Sequence, residues 1–334
     1  MLDKYSYVFI IGAGGSFPYG FPLGIDLYDN ICGHFPYYVQ NYLEENQGTV
    51  RGINTHLMNI AHEFSKQLRS TNNVSIDKYL NINTSFYDEG ILAIISEIFN
   101  CEKQSLLPPN VDNKYKKNDW YSYLYQKMIQ GLNTIDDILS INKNKISFIT
   151  FNYDRSLEHY LFNTLYGLVK NAGVQKKQFA EIFCKIPFIH VFGNIGNLPW
   201  QKGEYSNNLY YSKEWVEYGS EIKDVDPISV AQHIKDKIQI MYEKRQDNLE
   251  INNAKELILN ADRILFLGFG YDEQNLEILD LPELLKNKQV FGTAFNATDN
   301  EIVHIRNLLN LKMSSPKSKI YSFDSLMLLR EHLI

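Results

Sequence analysis

The chain of 334 residues is long enough for one large domain, or for a core domain with a smaller insertion. Its net charge of -6 argues against a broad nucleic-acid-binding surface. The three cysteines (Cys32, Cys101 and Cys184) form no CxxC pair, so neither a zinc site nor a disulfide framework is predicted. No charged leader precedes the first apolar run, and no apolar run approaches ~18 residues, so we expect a soluble cytoplasmic protein without a membrane segment.

The first predicted element is a buried parallel strand at 7–11, where every residue is apolar or aromatic. The residues after it are all small: Gly12, Ala13, Gly14, Gly15 and Ser16. Small residues here let backbone N–H groups approach a pyrophosphate, and the next helix N-terminus adds a positive field. A tight turn without a ligand explains the same glycines about equally well. Phe17 stands where the GxGxxG dehydrogenase fingerprint has its third glycine, so a dehydrogenase is not predicted.

The chain then passes through a segment rich in proline and glycine, 17–24, which we predict to be a mobile lid without helix. From about 35 to 141 the apolar residues recur at helical spacing and no strand is indicated. The helices predicted in this block include 37–45, 53–68, 87–100 and 120–141. The block is interpreted either as a helical insertion that covers a ligand cleft or docks a partner, or as a helical layer on the sheet.

Strand patterns return after residue 145. The predicted strands are 146–151, 186–191, 263–267, 289–292 and 319–321. Helices are predicted between and after them, at 155–171, 228–243, 252–260, 272–279, 299–311 and 323–332. Strands that alternate with helices imply a Rossmann-like, doubly wound parallel sheet of about six strands with helices on both faces.

Ligands bind such sheets at the carboxyl ends of the strands, and polar or glycine-rich residues follow several strands here. Asn152 and Asp154 follow the second predicted strand, and each is also suited to cap the next helix. His190 lies at the end of the third strand and titrates near neutrality, so it is the best general-base candidate. A satisfied core histidine is the alternative. Gly268 and Gly270 follow the fourth strand, where a tight turn is the alternative.

The GAGGS and GFPLG segments resemble the GAGxS…GxP opening of the sirtuin-like (SIR2-like) superfamily, and TFNYD at 150–154 is similar to its TxNxD segment. The segment LGFGYDEQNL resembles the later half of bacterial SIR2-like proteins of anti-phage defence, and a Kongming-type or HerA-associated protein fits this resemblance. It implies that NAD+ contacts Gly12, Ala13, Gly14, Ser16, Asp154, Gly268, Gly270 and Tyr271. It also implies that Asn152 lies at the ribose beside nicotinamide, and that His190 activates a ribose hydroxyl.

Two departures from the family accompany the resemblance. The family places a histidine directly before the glycine of the third strand end, whereas Phe192 holds that position here and His190 lies two residues earlier. The zinc cysteines of protein-deacylating sirtuins are absent, which disfavours a deacylase or ADP-ribosyltransferase. The implied function is therefore an NAD+ glycohydrolase with NAD+ as substrate and no metal. A non-catalytic NAD- or ADP-ribose-binding regulatory subunit is the alternative.

The resemblance further implies a partner protein, because a chain of this length has little room for its own sensor. We expect a sensor or an ATPase or other nucleotide-handling subunit encoded nearby, in a homo- or hetero-oligomer, without direct nucleic-acid or membrane contact. The loop 197–226 contains aromatic residues suited to such a contact, and packing onto the chain's own sheet is the alternative. These residues are Trp200, Tyr205, Tyr210, Tyr211 and Trp215.

Overall fold

The computed structural model describes residues 2–45, 53–72, 75–105, 107, 118–201, 218, 225–238, 240, 249–311 and 318–333. The strands in these residues are β1 Tyr7–Ile11, β2 Ile146–Thr150, β3 Phe188–His190, β4 Arg263–Leu267, β5 Gln289–Thr293 and β6 Lys319–Tyr321. They form a 6-stranded sheet in the order β3-β2-β1-β4-β5-β6. Every pairing between neighbouring strands is parallel. The predicted α/β fold with one parallel sheet is confirmed.

Helices surround this sheet. In chain order they are α1 Ala13–Ser16, α2 Gly24–Glu45, α3 Ile53–Arg69, α4 Ile76–Ile82, α5 Tyr87–Lys103, α6 Trp120–Ile129, α7 Ile135–Ile138, α8 Ser156–Val169, α9 Lys176–Phe183, α10 Pro227–Ile234, α11 Leu249–Asn260, α12 Glu273–Ile278, α13 Leu281–Leu284, α14 Asp299–Leu308 and α15 Ser325–His332. Within the described residues, no helix is both long enough and apolar enough to cross a bilayer.

The two faces of the sheet build two separate hydrophobic cores, because successive strand residues point to opposite faces. Phe9 and Phe148 are paired across β1 and β2, and their stacked rings lie in the core that contains α2, α5, α6 and α8. Ile10 faces the other core, together with residues of α11 and of the α12–α13 region. The sheet is therefore covered by helices on both faces, as the alternating pattern predicts.

Two predicted elements in the first half of the chain differ from the structure. Residues Phe17–Tyr19 form a 3-10 turn and α2 begins at Gly24, so a helix-free lid across 17–24 is wrong in part. The single helix predicted for 120–141 is wrong, because α6 ends at Ile129 and Gly131 takes a φ of 83°. Thr134 then starts α7 with a capping box. The described residues between 35 and 141 contain no strand.

Smaller differences occur in the second half. Strand β3 is shorter than predicted and ends at His190. Helix α9 was not predicted from the sequence. Helix α10 ends at Ile234, with a 3-10 turn at Lys235–Lys237, whereas 239 and 241–243 of the predicted helix lie outside the described residues. In contrast, the predicted bounds of β4 and β6 match the structure.

Candidate functional site

The glycine-rich turn after β1 packs directly against the end of β4. These strands are neighbours at the point where the order of the sheet reverses. The backbone N–H of Gly12 donates to the Leu267 carbonyl at 3.1 Å, and that of Gly14 donates to the Gly268 carbonyl at 2.9 Å. A Cβ at Gly12 would lie 2.7 Å from the Gly268 oxygen. Close backbone packing therefore accounts for these glycines, as the turn alternative predicts.

The turn after β4 contains a second requirement for glycine. Gly268 has a φ of +58°, and a Cβ there would lie 2.0 Å from the Gly15 nitrogen. Tyr271 is buried, and its hydroxyl donates to the Thr293 carbonyl at 3.1 Å. Gly270, in contrast, is exposed, and a Cβ there would meet no atom within 4 Å. The fold thus explains Gly268 and Tyr271 without a ligand, whereas it gives no packing reason for Gly270.

Asn152 joins the end of β2 to the turn after β1. Its Nδ2 donates to the Gly12 carbonyl and to Ser16 Oγ, both at 3.0 Å. Ser16 is buried at the end of α1, and Ala13 is half-buried in the same helix. The amide group of Asn152 does not cap α8, so the capping alternative does not account for this residue. The structure brings Asn152 and Ser16 together, as their positions at adjacent strand ends suggest.

Asp154 has a structural role at the start of α8. Its Oδ1 accepts the Ser156 backbone N–H at 3.0 Å, and it also accepts the Ser156 hydroxyl. The Ser156 Oγ lies 2.6 Å from the hydroxyl of buried Tyr121. Burial raises the pKa of Asp154, although hydrogen bonds from Ser156 and Ser16 act in the opposite direction. This geometry agrees with the helix-start alternative for Asp154.

His190 forms a buried pair with Glu158, a residue of α8 that the sequence patterns did not single out. Its Nε2 lies 2.5 Å from Glu158 Oε1, and its Nδ1 lies 3.0 Å from the Asn152 carbonyl oxygen. The two side chains are 6% and 3% exposed. Both ring nitrogens face oxygen atoms, an arrangement that favours the doubly protonated imidazolium form of His190. Burial alone lowers the pKa of His190, but the charge and hydrogen bond of Glu158 raise it overall.

Phe192 does not lie beside His190 on the strand. Strand β3 ends at His190, so Phe192 lies beyond the strand. The ring of Phe192 instead meets the Phe151 ring edge-on, with centroids 5.6 Å apart. His190 and Phe192 therefore have separate surroundings: His190 contacts Glu158 and the Asn152 carbonyl, whereas Phe192 contacts Phe151.

A second buried ion pair joins the helical block to the strand ends. Arg155 donates from Nη2 to Glu102 of α5 at 2.8 Å and from Nε to the same carboxylate at 3.1 Å. Its Nη1 donates to the Gly196 carbonyl at 3.0 Å. The two side chains are 1% and 0% exposed. This pair was also missed from the sequence, because its members are far apart in the chain and belong to different elements.

The space enclosed at the strand ends is small. A cavity of about 10 Å³ lies between the strand ends and α8, and neither Asn152 nor His190 is among its lining residues. Its lining consists of four apolar side chains and the polar residues Ser16, Tyr121, Thr150, Asp154 and Glu158. A volume of this size holds roughly one water molecule. Larger cavities lie elsewhere, one of about 540 Å³ between β3 and α11 and one of about 460 Å³ between α2 and α3.

The aromatic residues proposed as partner contacts have separate outcomes. Trp200 is buried, and its ring stacks on Phe162 of α8 at 4.1 Å, so in this structure it packs inside the chain and not at an exposed surface. The other aromatic residues lie outside the described residues: Tyr205, Tyr210, Tyr211 and Trp215.

In the described part of the chain, no group of three or more His, Cys, Asp or Glu side chains is arranged to hold a metal ion. No protein-family model matches this chain, and a search of curated proteins returns no match. The resemblance to sirtuin-like proteins therefore rests on the sequence motifs alone.

Proposed function

We propose that this chain is an NAD+ glycohydrolase that releases nicotinamide and ADP-ribose. The supporting observation is the polar cluster at the ends of β1, β2 and β3, where Asn152 contacts Ser16 and His190 pairs with Glu158. The cluster lies beside the point where the strand order reverses, which is where doubly wound sheets bind dinucleotides. The TxNxD-like and GAGxS-like motifs add the resemblance to NAD-consuming SIR2-like proteins.

The chemistry requires little acid catalysis, because the leaving nicotinamide is a cationic pyridinium. The bond between the ribose C1′ and the pyridinium nitrogen breaks, and its electron pair leaves with nicotinamide. Water forms the new C1′–O bond and releases one proton. The site must therefore orient water, stabilise an oxocarbenium-like ribose and accept that proton. In the proposal, Asn152 orients the ribose and the water. His190 accepts the released proton when its imidazole ring is neutral.

The proposal includes control by another protein. His190 is buried and both of its ring nitrogens already have partners, so in the proposal the elements around it move before NAD+ is hydrolysed. A partner that binds the open form more tightly shifts the balance by its differential affinity. We propose that this partner is a sensor, or an ATPase or other nucleotide-handling subunit, and that the complex acts in the cytoplasm by depleting NAD+ during anti-phage defence.

A second candidate function is a non-catalytic subunit that binds NAD+ or ADP-ribose and regulates its partner. It is favoured by one observation: both ring nitrogens of His190 already have partners, one at the Asn152 carbonyl and one at Glu158. A histidine in this arrangement stabilises the strand ends without taking part in proton transfer.

The test follows nicotinamide release from NAD+ by the protein alone and together with its genomic neighbour. Under activating conditions, we expect Asn152→Ala and His190→Ala each to lower the rate by about 10²–10³. His304→Ala, at an exposed position on α14, is the matched control and should retain the rate. Site variants that hydrolyse NAD+ at the unmodified rate would contradict the catalytic roles. NAD+ binding without turnover in the assembled complex would favour the regulatory subunit.

A further inference from the structure

A groove between α2 and α3 has the composition of an anion-binding site. Its volume is about 460 Å³, and its lining includes His62, Ser65, Lys66 and Arg69 of α3. Cys32 and Pro36 of α2 form the opposite wall. The groove belongs to the helical block and contains none of the residues proposed above to act on NAD+.

A proline inside α2 fixes the position of Arg69. Pro36 has no backbone N–H, so the Cys32 carbonyl lacks the hydrogen bond it would receive in a regular helix. Nη2 of Arg69 donates to this carbonyl at 2.7 Å. The guanidinium is thereby held at the wall of the groove. A planar guanidinium with several donors can use one for this contact and others for a ligand.

No carboxylate among the described residues forms an ion pair with the cations of the groove, although Asp29 lies near enough to Cys32 to oppose the effect of Arg69 on its pKa. Neither Lys66 nor Arg69 forms an ion pair with a residue in the described ranges. Cations near a helix C-terminus often cap its last carbonyls. Here hydroxyl groups do so, since the Leu68 carbonyl accepts from Tyr28 at 2.9 Å and from Thr71 at 2.6 Å. Lys66 and Arg69 are both exposed at this groove, and Arg69 has donors beyond the one that serves the Cys32 carbonyl.

Ser65 supplies an independent indication of a ligand. It is 5% exposed, and its buried Oγ has no hydrogen-bond partner among the described residues. Buried hydroxyl groups in native proteins are nearly always paired, because an unpaired one lowers stability. Ser65 lines the same groove as the two cations. Its Oγ is closed to solvent, so a change of side-chain rotamer is needed to bring this donor to a ligand oxygen in the groove.

We infer that the groove binds a small phosphomonoester. Lys66 and Arg69 neutralise the dianionic phosphate, Ser65 donates to it, and the organic body packs on Pro36 and Cys32. Charge-assisted hydrogen bonds from such side chains suit phosphate oxygens. The volume of about 460 Å³ exceeds that of free phosphate and lies in the range of small-ligand pockets, which fits a nucleoside monophosphate or a sugar phosphate. This inference is independent of the proposed hydrolysis of NAD+.

Calorimetric titration of the full chain tests the inference with AMP, ribose 5-phosphate and uncharged adenosine as probes. AMP should bind and adenosine should not, and inorganic phosphate should compete with AMP. Binding of ribose 5-phosphate as well would assign recognition to the phosphate, and binding of AMP alone would add a contribution from the base. Both results support the site. No heat of binding from either phosphomonoester would overturn it.

Matched variants locate the binding. Lys66→Gln should weaken AMP binding by at least about tenfold. Ser65→Ala should weaken it by roughly fivefold while leaving the melting temperature unchanged or higher, since the variant removes an unpaired hydroxyl. Lys170→Gln, an exposed lysine beyond α8, should leave it unchanged. AMP affinity that survives Lys66→Gln but falls in Asn152→Ala would assign AMP to the strand ends and overturn the inference.

Discussion

Glu158 and His190 belong to different elements, and their side chains meet at 2.5 Å in an environment almost closed to water. The helix α8 supplies the carboxylate and the edge strand β3 supplies the imidazole. The Asn152 carbonyl occupies the other ring nitrogen. Burial lowers the pKa of His190, but the charge and hydrogen bond of Glu158 raise it overall, so His190 can accept a proton from substrate only above that raised pKa.

The first prediction concerns the pH dependence of NAD+ hydrolysis. Glu158→Gln removes the charge that raises the pKa of His190, so the base becomes available at lower pH. We expect the acid limb of the kcat/KM profile to move to lower pH in this variant, measured by nicotinamide release. Glu97→Gln is the control, because Glu97 is also buried and also contacts a histidine, His34, at 3.0 Å. An unmoved acid limb in Glu158→Gln would show that His190 is not the base.

The same pair makes the stability of the fold depend on pH. The pKa of folded His190 is raised above the value of ~6.5 expected in the unfolded chain. Its contribution to the free energy of unfolding is therefore complete below about pH 6.5 and is lost as the pH rises through the folded pKa. Thermal melts at increasing pH should show a larger loss of stability in the unmodified protein than in Glu158→Gln. Equal losses in the two proteins would contradict a charged pair.

His159 should have the opposite effect at acid pH. Burial, together with the charges of Arg155 and Lys176, lowers the pKa of His159 to about 3. The unfolded chain therefore binds a proton below about pH 6.5 that folded His159 excludes, and stability falls as the pH falls. His159→Phe can keep the stacking on Tyr218, whose centroid lies 3.8 Å away. Urea unfolding at pH 7 and pH 5 should show a smaller acid loss in this variant, and an undiminished loss would be evidence against a neutral His159.

Two glycines of one turn should respond differently to alanine. Gly268→Ala places a methyl 2.0 Å from the Gly15 nitrogen at a φ of +58°, so the backbone must shift. The left-handed conformation alone costs about 1–2 kcal/mol in a non-glycine residue, and the overlap adds to it. Gly270→Ala meets no atom within 4 Å and should change the free energy of unfolding by less than about 0.5 kcal/mol. Urea unfolding of both variants checks the difference, and equal effects would contradict the packing of the two turns.

The sequence predicts the sheet well for a physical reason. A buried parallel strand is a short apolar run ended by glycine or a polar residue, and both ends of β4 follow from that pattern. The helix ends inside the 120–141 segment are harder to predict, because the helical spacing of apolar residues continues across the break between α6 and α7. Gly131 and the capping box of Thr134 with Asp137 are the sequence signals that mark this break.

The contacts of the site can be predicted from the sequence only where the order of the strands alone determines them. Asn152 and Ser16 follow neighbouring strands, so the order of the sheet is sufficient to bring them together. The contact of His190 with Glu158 depends on how α8 is rotated against β3, which the local sequence does not determine. The glycines after β1 and β4 do not reveal their role from the sequence. A turn that packs against another turn and a turn that binds phosphate both require glycine.

The pair of Arg155 and Glu102 should couple the helical block to the strand ends. Glu102→Gln leaves a buried guanidinium without its carboxylate, and breaking such a pair costs about 3–5 kcal/mol. Arg155→Met takes the guanidinium away from the buried carboxylate at a similar cost. We expect the double variant to lose less stability than the sum of the single losses in urea unfolding. Strictly additive losses would mean that the contact contributes no coupling.

The last prediction is that hydrolysis depends on a partner or on assembly. His190 is buried, and the Asn152 carbonyl and Glu158 occupy both of its ring nitrogens. An isolated chain in this conformation should release little nicotinamide. Addition of the genomic neighbour and its trigger should raise the rate. A partner that binds an open form of this chain a few kcal/mol more tightly than the closed form increases the population of the open form. Release should depend on Asn152 only in the activated mixture. Full-rate hydrolysis by the isolated monomer would contradict this control and would mean that the strand ends open without help.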